Sequence, residues 1–332
     1  MKKYNVAVVG ATGMVGRKFL QVLAERKMPV EKYYLFASSR SAGKQVEFMG
    51  KTYTIIELNE QNINKYDIDI ALFSAGGSIS KEFAPIFAKR GTLVIDNSSQ
   101  WRMDDNVPLV VPEVNPEDIE RHNGIIANPN CSTIQAVVAL KPLAKYKIKR
   151  IVYSTYQAVS GAGMSGYADL ENGLKGGEPQ NFPMQIAGNC IPQIDVFMDN
   201  GYTKEEIKMI NETKKIMNDY DLRVTATTVR VPVFHGHSES INVEFEKDFD
   251  LAELKETLEN APGVVVMDDF KNGEYPTQLF CEDKDDVFVG RIRRDDSVDS
   301  GVNLWVVSDN IRKGAATNTV QIAEEYIRRD NA

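Results

Sequence analysis

Asn5-Val6-Ala7-Val8-Val9-Gly10-Ala11-Thr12-Gly13-Met14-Val15-Gly16 is the stretch whose reading decides the fold. Residues 5 to 9 read as a buried strand, the glycines close it, and Met14 to Arg26 switches to helical spacing. Glycines at 10, 13 and 16 follow G-x-x-G-x-x-G. Such a turn permits a sharp reversal, close backbone approach to a pyrophosphate, and close packing of helix on strand. A plain strand-to-helix turn is the alternative. The position after the first strand and before an amphipathic helix favours a dinucleotide site.

The alternation continues outward from that turn. Tyr33 to Ala37, Ile68 to Phe73 and Thr92 to Asp96 read as strands, with a helix near Ser80 to Arg90 between the last two. Strands alternating with helices imply a parallel, doubly wound sheet. After the second strand, an NAD site usually carries a carboxylate for the ribose 2′-hydroxyl. This chain instead reads Ser38-Ser39-Arg40-Ser41, with no carboxylate before Glu47. Hydroxyls and an arginine suit a 2′-phosphate, so NADP is expected over NAD, with a solvated turn as the alternative. Short-chain reductases open similarly but use Tyr-x-x-x-Lys, and none of the 13 tyrosines has a lysine four residues on.

At 332 residues the chain has length for about two domains. Hydrophobic residues at 42% and charged residues at 26% are those of a globular protein rather than a disordered one. A net charge of −8 argues against nucleic acid as the main partner while allowing a local basic pocket for an anion. Three widely spaced cysteines fit a reducing compartment better than a disulfide framework, and no apolar run has membrane-spanning length. A cytoplasmic protein with no membrane partner is the expectation.

Asn130-Cys131-Ser132-Thr133, after Pro129 and before the helical run Ile134 to Tyr146, places a cysteine where a helix begins. Positive helix-end charge and unpaired N–H groups favour the thiolate there, although a free cysteine can equally be a small buried hydrophobe. Pro129 biases Asn128 to an extended conformation, so Gly124 to Asn128 reads as the strand leading in. Arg150 to Gln157 is a further strand, running into Ala158-Val159-Ser160-Gly161-Ala162-Gly163. Gln157 is then either a ligand-facing amide or a strand-end residue bonded to backbone. Val224 to Phe234 alternates, with Val229, Val231 and Val233 assigned to the core face and Thr228 and Arg230 to the other.

Two of the three histidines, His235 and His237, flank Gly236 after that strand. No third ligand stands at comparable spacing, so no metal is expected, and a general acid or base near a thiolate is the better functional reading. Cys190 and Cys281 read as structural. Glu212 and Lys215, three apart on a helix, read alone as a solvated ion pair. Gly166 to Pro183 is rich in glycine and reads as irregular.

The chain resembles the aspartate-semialdehyde dehydrogenases common in bacteria, along essentially its whole length. The motifs stand in the same order: Gly10 to Gly16, Asp96-Asn97-Ser98-Ser99-Gln100-Trp101-Arg102-Met103, Asn128 to Thr133, Thr155 to Gly161, Glu212 to Lys215, Arg230-Val231-Pro232-Val233, His237 to Ser240, and Lys313 to Asn318. The resemblance implies an NADP-linked interconversion of L-aspartate 4-semialdehyde plus phosphate with L-4-aspartyl phosphate. That step lies on the route to lysine (through diaminopimelate), methionine and threonine. It implies Cys131 as nucleophile forming a thiohemiacetal and then a thioester, His237 as acid/base, and Gln157 as an orienting amide. Arg230 matches the partner of the α-carboxylate, Glu212 that of the α-ammonium, and Arg102 with Lys215 the phosphate site. Thr12, Gly13, Met14, Val15, Arg40, Ser41, Ser160 and Gly161 match NADP-contacting positions, with Asn318 or Gln321 reaching the nicotinamide.

The architecture so implied is like that of glyceraldehyde-phosphate dehydrogenase. A Rossmann-type domain of residues 1–130 plus 313–332 is joined to a mixed α/β substrate and dimerisation domain of residues 131–312, with a homodimer as the minimum assembly and the active site in the cleft between the domains. N-acetyl-glutamyl-phosphate or glyceraldehyde-phosphate reductases share the thioester logic, but Arg230 and Glu212 suit a free amino acid. A non-catalytic NADP sensor would not need Cys131, Gln157 and His237 together.

Overall fold

The opening strand is β1 (Tyr4–Val9), which passes through the glycine turn into α1 (Met14–Arg26) in a computed structural model that describes residues 2–331. Gly10 takes φ +87°, a left-handed conformation that an L side chain rarely adopts. The remaining early elements are β2 (Val30–Ala37), β3 (Gln45–Phe48), β4 (Lys51–Thr54), β5 (Ile56–Glu57), α2 (Glu60–Lys65), β6 (Ile70–Phe73), α3 (Gly77–Lys89), β7 (Leu93–Asp96) and β8 (Ile125–Ala127). Six of these strands form one sheet in the order β5-β2-β1-β6-β7-β8, every pair parallel, while β3 and β4 form a separate antiparallel hairpin. Strand order reverses between β1 and β6. That switch point, at the carboxyl end of β1, is where open α/β sheets bind ligands.

The next elements are α4 (Cys131–Leu140), β9 (Ile148–Gln157), α5 (Gly163–Leu174), α6 (Lys204–Met217), β10 (Arg223–Arg230), β11 (His237–Phe245), α7 (Leu251–Glu259), β12 (Val264–Val266), α8 (Gln278–Cys281), β13 (Val287–Arg294) and β14 (Gly301–Ser308). Their strands make a six-stranded mixed sheet ordered β10-β9-β11-β14-β13-β12. β9 runs parallel to β10 and antiparallel to β11. A π-helical turn, Arg312–Ala316, then leads into α9 (Thr317–Asp330). The chain divides into two compact units, one running to Pro129 and resuming at Ala315, the other Asn130–Gly314. In the first unit, Val6, Val8, Phe19, Leu23, Leu35, Leu72, Ile95 and Ile126 share a core with Val320, Ile322 and Ile327 of α9. Among the described residues no helix is long and apolar enough to cross a membrane.

Three expectations need correction. Residues 166–174 are helical rather than irregular, because Gly166 and Gly173 let α5 approach Phe182 and Ala187 closely. Helix α4 begins at Cys131 as expected but ends at Leu140 instead of running on to Tyr146, tightening to a 3-10 turn at Lys141–Tyr146, where Pro142 has no N–H to continue the α ladder. The buried face of β10 carries Ala226, Thr228 and Arg230, while Val229 is only half-buried. The polar residues go inside because Glu206 of α6 accepts the Thr228 N–H at 3.0 Å and a backbone carbonyl takes the Arg230 guanidinium.

Candidate active site

Three strand ends meet in the second unit. Gln157, the last residue of β9, pairs with Arg230, the last of β10, on one side and with His237, the first of β11, on the other. Ala158 then fixes both neighbours: its N–H donates to His237 Nδ1 at 3.0 Å, and its carbonyl accepts from Arg230 Nη1 at 2.6 Å. An imidazole that accepts at Nδ1 carries its proton on Nε2 when neutral. Burial, and then the nearby Arg230, hold the His237 pKa down to about 3, so the neutral ring is the resting form. Among the described residues its buried Nε2 has no hydrogen-bond partner. Burial also lowers Arg230, opposed by Glu205 and Cys131. The turn Val159–Ala162 covers the pair so closely that a Cβ at Gly161 would lie 2.8 Å from Arg230 Nη1 and 3.4 Å from His237 Nε2. Ser160 within that turn is buried and bonded to Asn310.

Cys131 is the first residue of α4 and is half-buried, with Asn130 as the N-cap. Asn130 Oδ1 accepts the N–H groups of Ser132 and Thr133 at 3.0 and 3.3 Å. Two carboxylates of α6, two turns apart on one face, hold the rest of Asn130. Glu212 Oε2 accepts its backbone N–H at 2.6 Å, and Glu205 Oε1 accepts its Nδ2 at 2.8 Å. Glu205 Oε1 also accepts Gln157 Nε2 at 3.1 Å, while Gln157 Oε1 takes the Thr155 hydroxyl at 3.0 Å. Burial alone would push the Glu205 carboxyl up. Lys208, the two amides and Arg230 outweigh it and hold the pKa to about 2.

Glu212 is thus 1% exposed, not half of a solvated pair; Lys215 stands less than one turn further along α6 and is half-buried. His235 lies apart, half-exposed, facing Glu282 at 3.6 Å and packed against Tyr167. Cys281 is buried and its thiol is pushed up to about 12 by burial, whereas Cys190 is exposed, so the structural reading fits Cys281 alone. Among the described residues no group of three His, Cys, Asp or Glu side chains is placed to hold a metal ion. Glu205, which no motif singled out, is the residue that joins the Cys131 helix to Gln157. A charged residue three before Lys208 and two after a helix cap signals only a solvated first turn to a sequence reading.

In the first unit, the Gly10 and Ala11 N–H groups donate to Phe36 O, which brings the glycine turn against the end of β2. Thr12 Oγ1 there reaches Ser41 Oγ at 3.5 Å, and Arg40 beside it is exposed. Gly13 is the N-cap of α1 and supplies no side-chain acceptor, and the first turn, with Met14 and Val15, holds no acidic residue, so the helix start suits an anion. Arg102 is buried, donating from Nε to Asn128 O at 2.9 Å and from Nη2 to Asn97 O at 3.0 Å. Asn318 is buried and donates to Val110 O and to Asn128 Oδ1, whereas Gln321 is half-buried and donates to Glu113.

A doubly wound parallel sheet with an anion-ready glycine turn, and a mixed-sheet unit gathering thiol, amide, imidazole and guanidinium, define a nucleotide-linked oxidoreductase. Residues 5–122 match the family model for the semialdehyde dehydrogenase NAD binding domain, and residues 140–313 match that for the semialdehyde dehydrogenase dimerisation domain. The aspartate-semialdehyde dehydrogenase of Aquifex aeolicus is 60% identical over 98% of each chain, and that of Bacillus subtilis 51% identical over 96% of each. Aspartate semialdehyde dehydrogenase II from Vibrio cholerae, solved in complex with ASA, superposes with TM-score 0.93 at 50% identity over 99% of each chain. The Candida albicans enzyme solved with NADP superposes with TM-score 0.76 at 26% identity over 98% of each. The chain belongs to the aspartate-semialdehyde dehydrogenase family.

Proposed function

We propose that the protein catalyses the NADP-dependent, phosphate-linked interconversion of L-aspartate 4-semialdehyde and L-4-aspartyl phosphate in lysine, methionine and threonine biosynthesis, with Cys131 as nucleophile. The observation that carries the reading is the convergence of Cys131, Gln157, Arg230 and His237 through Asn130, Glu205 and Ala158. The Cys131 thiolate attacks the aldehyde carbon, forming a C–S bond and a thiohemiacetal. The His237 Nε2–H donates to the oxygen that develops charge, a role its tautomer fits better than taking up a proton at the occupied Nδ1. Loss of hydride from the carbon leaves a thioester on Cys131. A phosphate oxygen then attacks the acyl carbon, and the C–S bond breaks to return the thiolate. Arg230 receives the α-carboxylate, Glu212 the α-ammonium, and Arg102 and Lys215 the phosphate; in the cell the sequence runs in the opposite sense.

NADP, when bound, supplies the hydride acceptor. Gly10, Thr12, Gly13, Met14 and Val15 would cradle its pyrophosphate, and Arg40 and Ser41 its 2′-phosphate, with Ser160, Gly161 and Asn318 or Gln321 toward the nicotinamide. The left-handed Gly10 turn, where a Cβ would strike the Ser74 backbone, and the contact of Thr12 with Ser41 support the fit.

The half-open sheet face of Ser154, Tyr156, Ser240, Asn242 and Trp305 supports pairing of two copies as a homodimer; sedimentation at monomer mass would remove that element.

The decisive assay follows NADPH formed from aspartate semialdehyde and phosphate, with NAD in parallel and Cys131→Ala alongside. Phosphate-dependent activity that is lost in the variant and is clearly stronger with NADP is expected. No activity in the parent, or undiminished activity in Cys131→Ala, would overturn the reading; a preference for NAD would overturn its cofactor.

A further inference from the structure

Glu205 is a carboxylate taken almost wholly out of water, 5% exposed, in the first turn of a helix whose N-terminus favours its charge. Its two oxygens face different clients. Oε1 accepts from Asn130 Nδ2 and Gln157 Nε2, and Oε2 accepts from Lys208 Nζ at 3.1 Å, which itself donates to Asp195 at 2.9 Å. Asn130 and Gln157 are amides, and an amide can turn over, exchanging donor for acceptor, at little steric cost. An anionic oxygen that only accepts forbids the exchange. With Nδ2 committed to Glu205, Asn130 must offer Oδ1 to the N–H groups of Ser132 and Thr133. With Nε2 committed to the same atom, Gln157 must offer Oε1 to Thr155.

We infer that Glu205 is a positioning residue for the thiol chemistry, its single Oε1 setting both the amide that caps the Cys131 helix and the amide at the end of β9. The inference rests on the reading of Cys131 as nucleophile and of Gln157 as its orienting partner. Glutamine at 205 keeps the volume, but its NH₂ faces either the Lys208 ammonium or the two amide donors. In the first arrangement donor meets donor at Lys208 and a neutral carbonyl replaces the anionic acceptor of the amides; in the second the amides lose their common acceptor. The charged or titratable groups around Glu205 are Lys208 on its own helix, Asp195 in the preceding segment, Glu212 across Asn130, Arg230 of β10 and His237 of β11.

The test compares Glu205→Gln, Gln157→Ala and the double variant in the full-length protein. Glu205→Gln is expected to lower kcat by about 10- to 100-fold, the range for losing a charge-assisted hydrogen bond that holds a reacting geometry. KM for the semialdehyde should stay within about threefold. The double variant should be slower than Gln157→Ala alone by less than the full Glu205→Gln effect, because the two share the Gln157 contact while Asn130 depends on Glu205 separately. Alkylation of Cys131 by iodoacetamide, read on its own peptide by mass spectrometry so that exposed Cys190 does not interfere, should shift its rate-against-pH curve in Glu205→Gln. Should Glu205→Gln fail to fold, Lys208→Gln serves. It leaves the Glu205 contacts to the two amides in place but removes the cation that holds the carboxyl down, so the acid limb of kcat should move to higher pH. A folded Glu205→Gln with kcat within threefold of the parent and an unchanged alkylation curve overturns the inference, as does an unmoved acid limb in Lys208→Gln. A parent without phosphate-dependent NADPH formation overturns the functional reading instead, and the alkylation curve still decides on Glu205.

Discussion

Replacing Gly314 by alanine would push a methyl group into the start of the Cys131 helix. The added Cβ would stand 2.8 Å from Cys131 Cβ and 3.2 Å from its Cα. Two carbons settle at about 3.5–4.0 Å, so the two backbones must separate by roughly 1 Å. Neither side yields easily. The Gly314 N–H donates to Asp309 O, and the Asp309 carboxylate receives the N–H groups of Ile311, Arg312 and Asp283. On the other side Asn130 is held by Glu205 and Glu212. Overpacking of this kind costs about 1–3 kcal/mol, which a domain stable by about 5–15 kcal/mol survives. A reacting atom misplaced by about 1 Å can lose on the order of 100-fold in rate. Gly314→Ala should therefore remain folded, with Tm lowered by about 2–8 °C, while kcat for phosphate-dependent NADPH formation falls about 100-fold. Initial-rate kinetics and a thermal melt on the same preparation measure both. A variant that keeps kcat within threefold would show that Cys131 is not confined by the Gly314 turn, and the geometric argument would fail.

Gly161→Ala should raise KM for the semialdehyde about tenfold with little change in Tm, because its methyl would stand 2.8 Å from Arg230 Nη1 at an exposed position that needs no positive φ; an unchanged KM would separate Gly161 from the carboxylate site. Glu239, 0% exposed on β11, has its pKa raised well above 4.5 by burial, the Ser132 hydroxyl opposing. A raised folded-state pKa gives stability that is full below the unfolded value and is lost as pH rises. Glu239→Gln should thus gain on the parent by about 1.4 kcal/mol per pH unit above 4.5 until the folded carboxyl ionises, and denaturant unfolding at about pH 5.5 and about pH 7.5 that shows a constant difference would refute it.

What the sequence made legible were features written locally. The glycine turn at Gly10 to Gly16 and the placing of Cys131 at a helix start depend on a few adjacent residues, whereas the preference for His237 over His235 comes only with the family resemblance; the structure puts His237 at Gln157 and His235 beside Glu282. The registers that bring Gln157, Arg230 and His237 together are contacts between strands far apart in sequence, and no periodicity encodes them. The alternation of β10 was seen, but its sense was reversed. Hydrophobic patterning assumes that water is the only partner for polar groups, whereas Thr228 and Arg230 find theirs inside.

The same assumption hides α6, and its carboxylates show why it fails there. β10 is an edge strand, and the start of α4 leaves N–H groups without helical partners. Neither element can satisfy these donors from within itself. Glu206 accepts the Thr228 N–H of the edge and, through its other oxygen, the Thr203 N–H that opens its own helix. Glu212 accepts the Asn130 N–H, and Glu205 takes the Asn130 and Gln157 amides. α6 therefore works as a strip of acceptors laid against donors contributed by three other elements. A carboxylate accepts through two oxygens without offering a competing donor, so no neutral side chain fills these places equally well. On that argument the acidic residues of α6 are buried because of their charge, and the face that a periodicity reading assigns to solvent is the one that assembles the site.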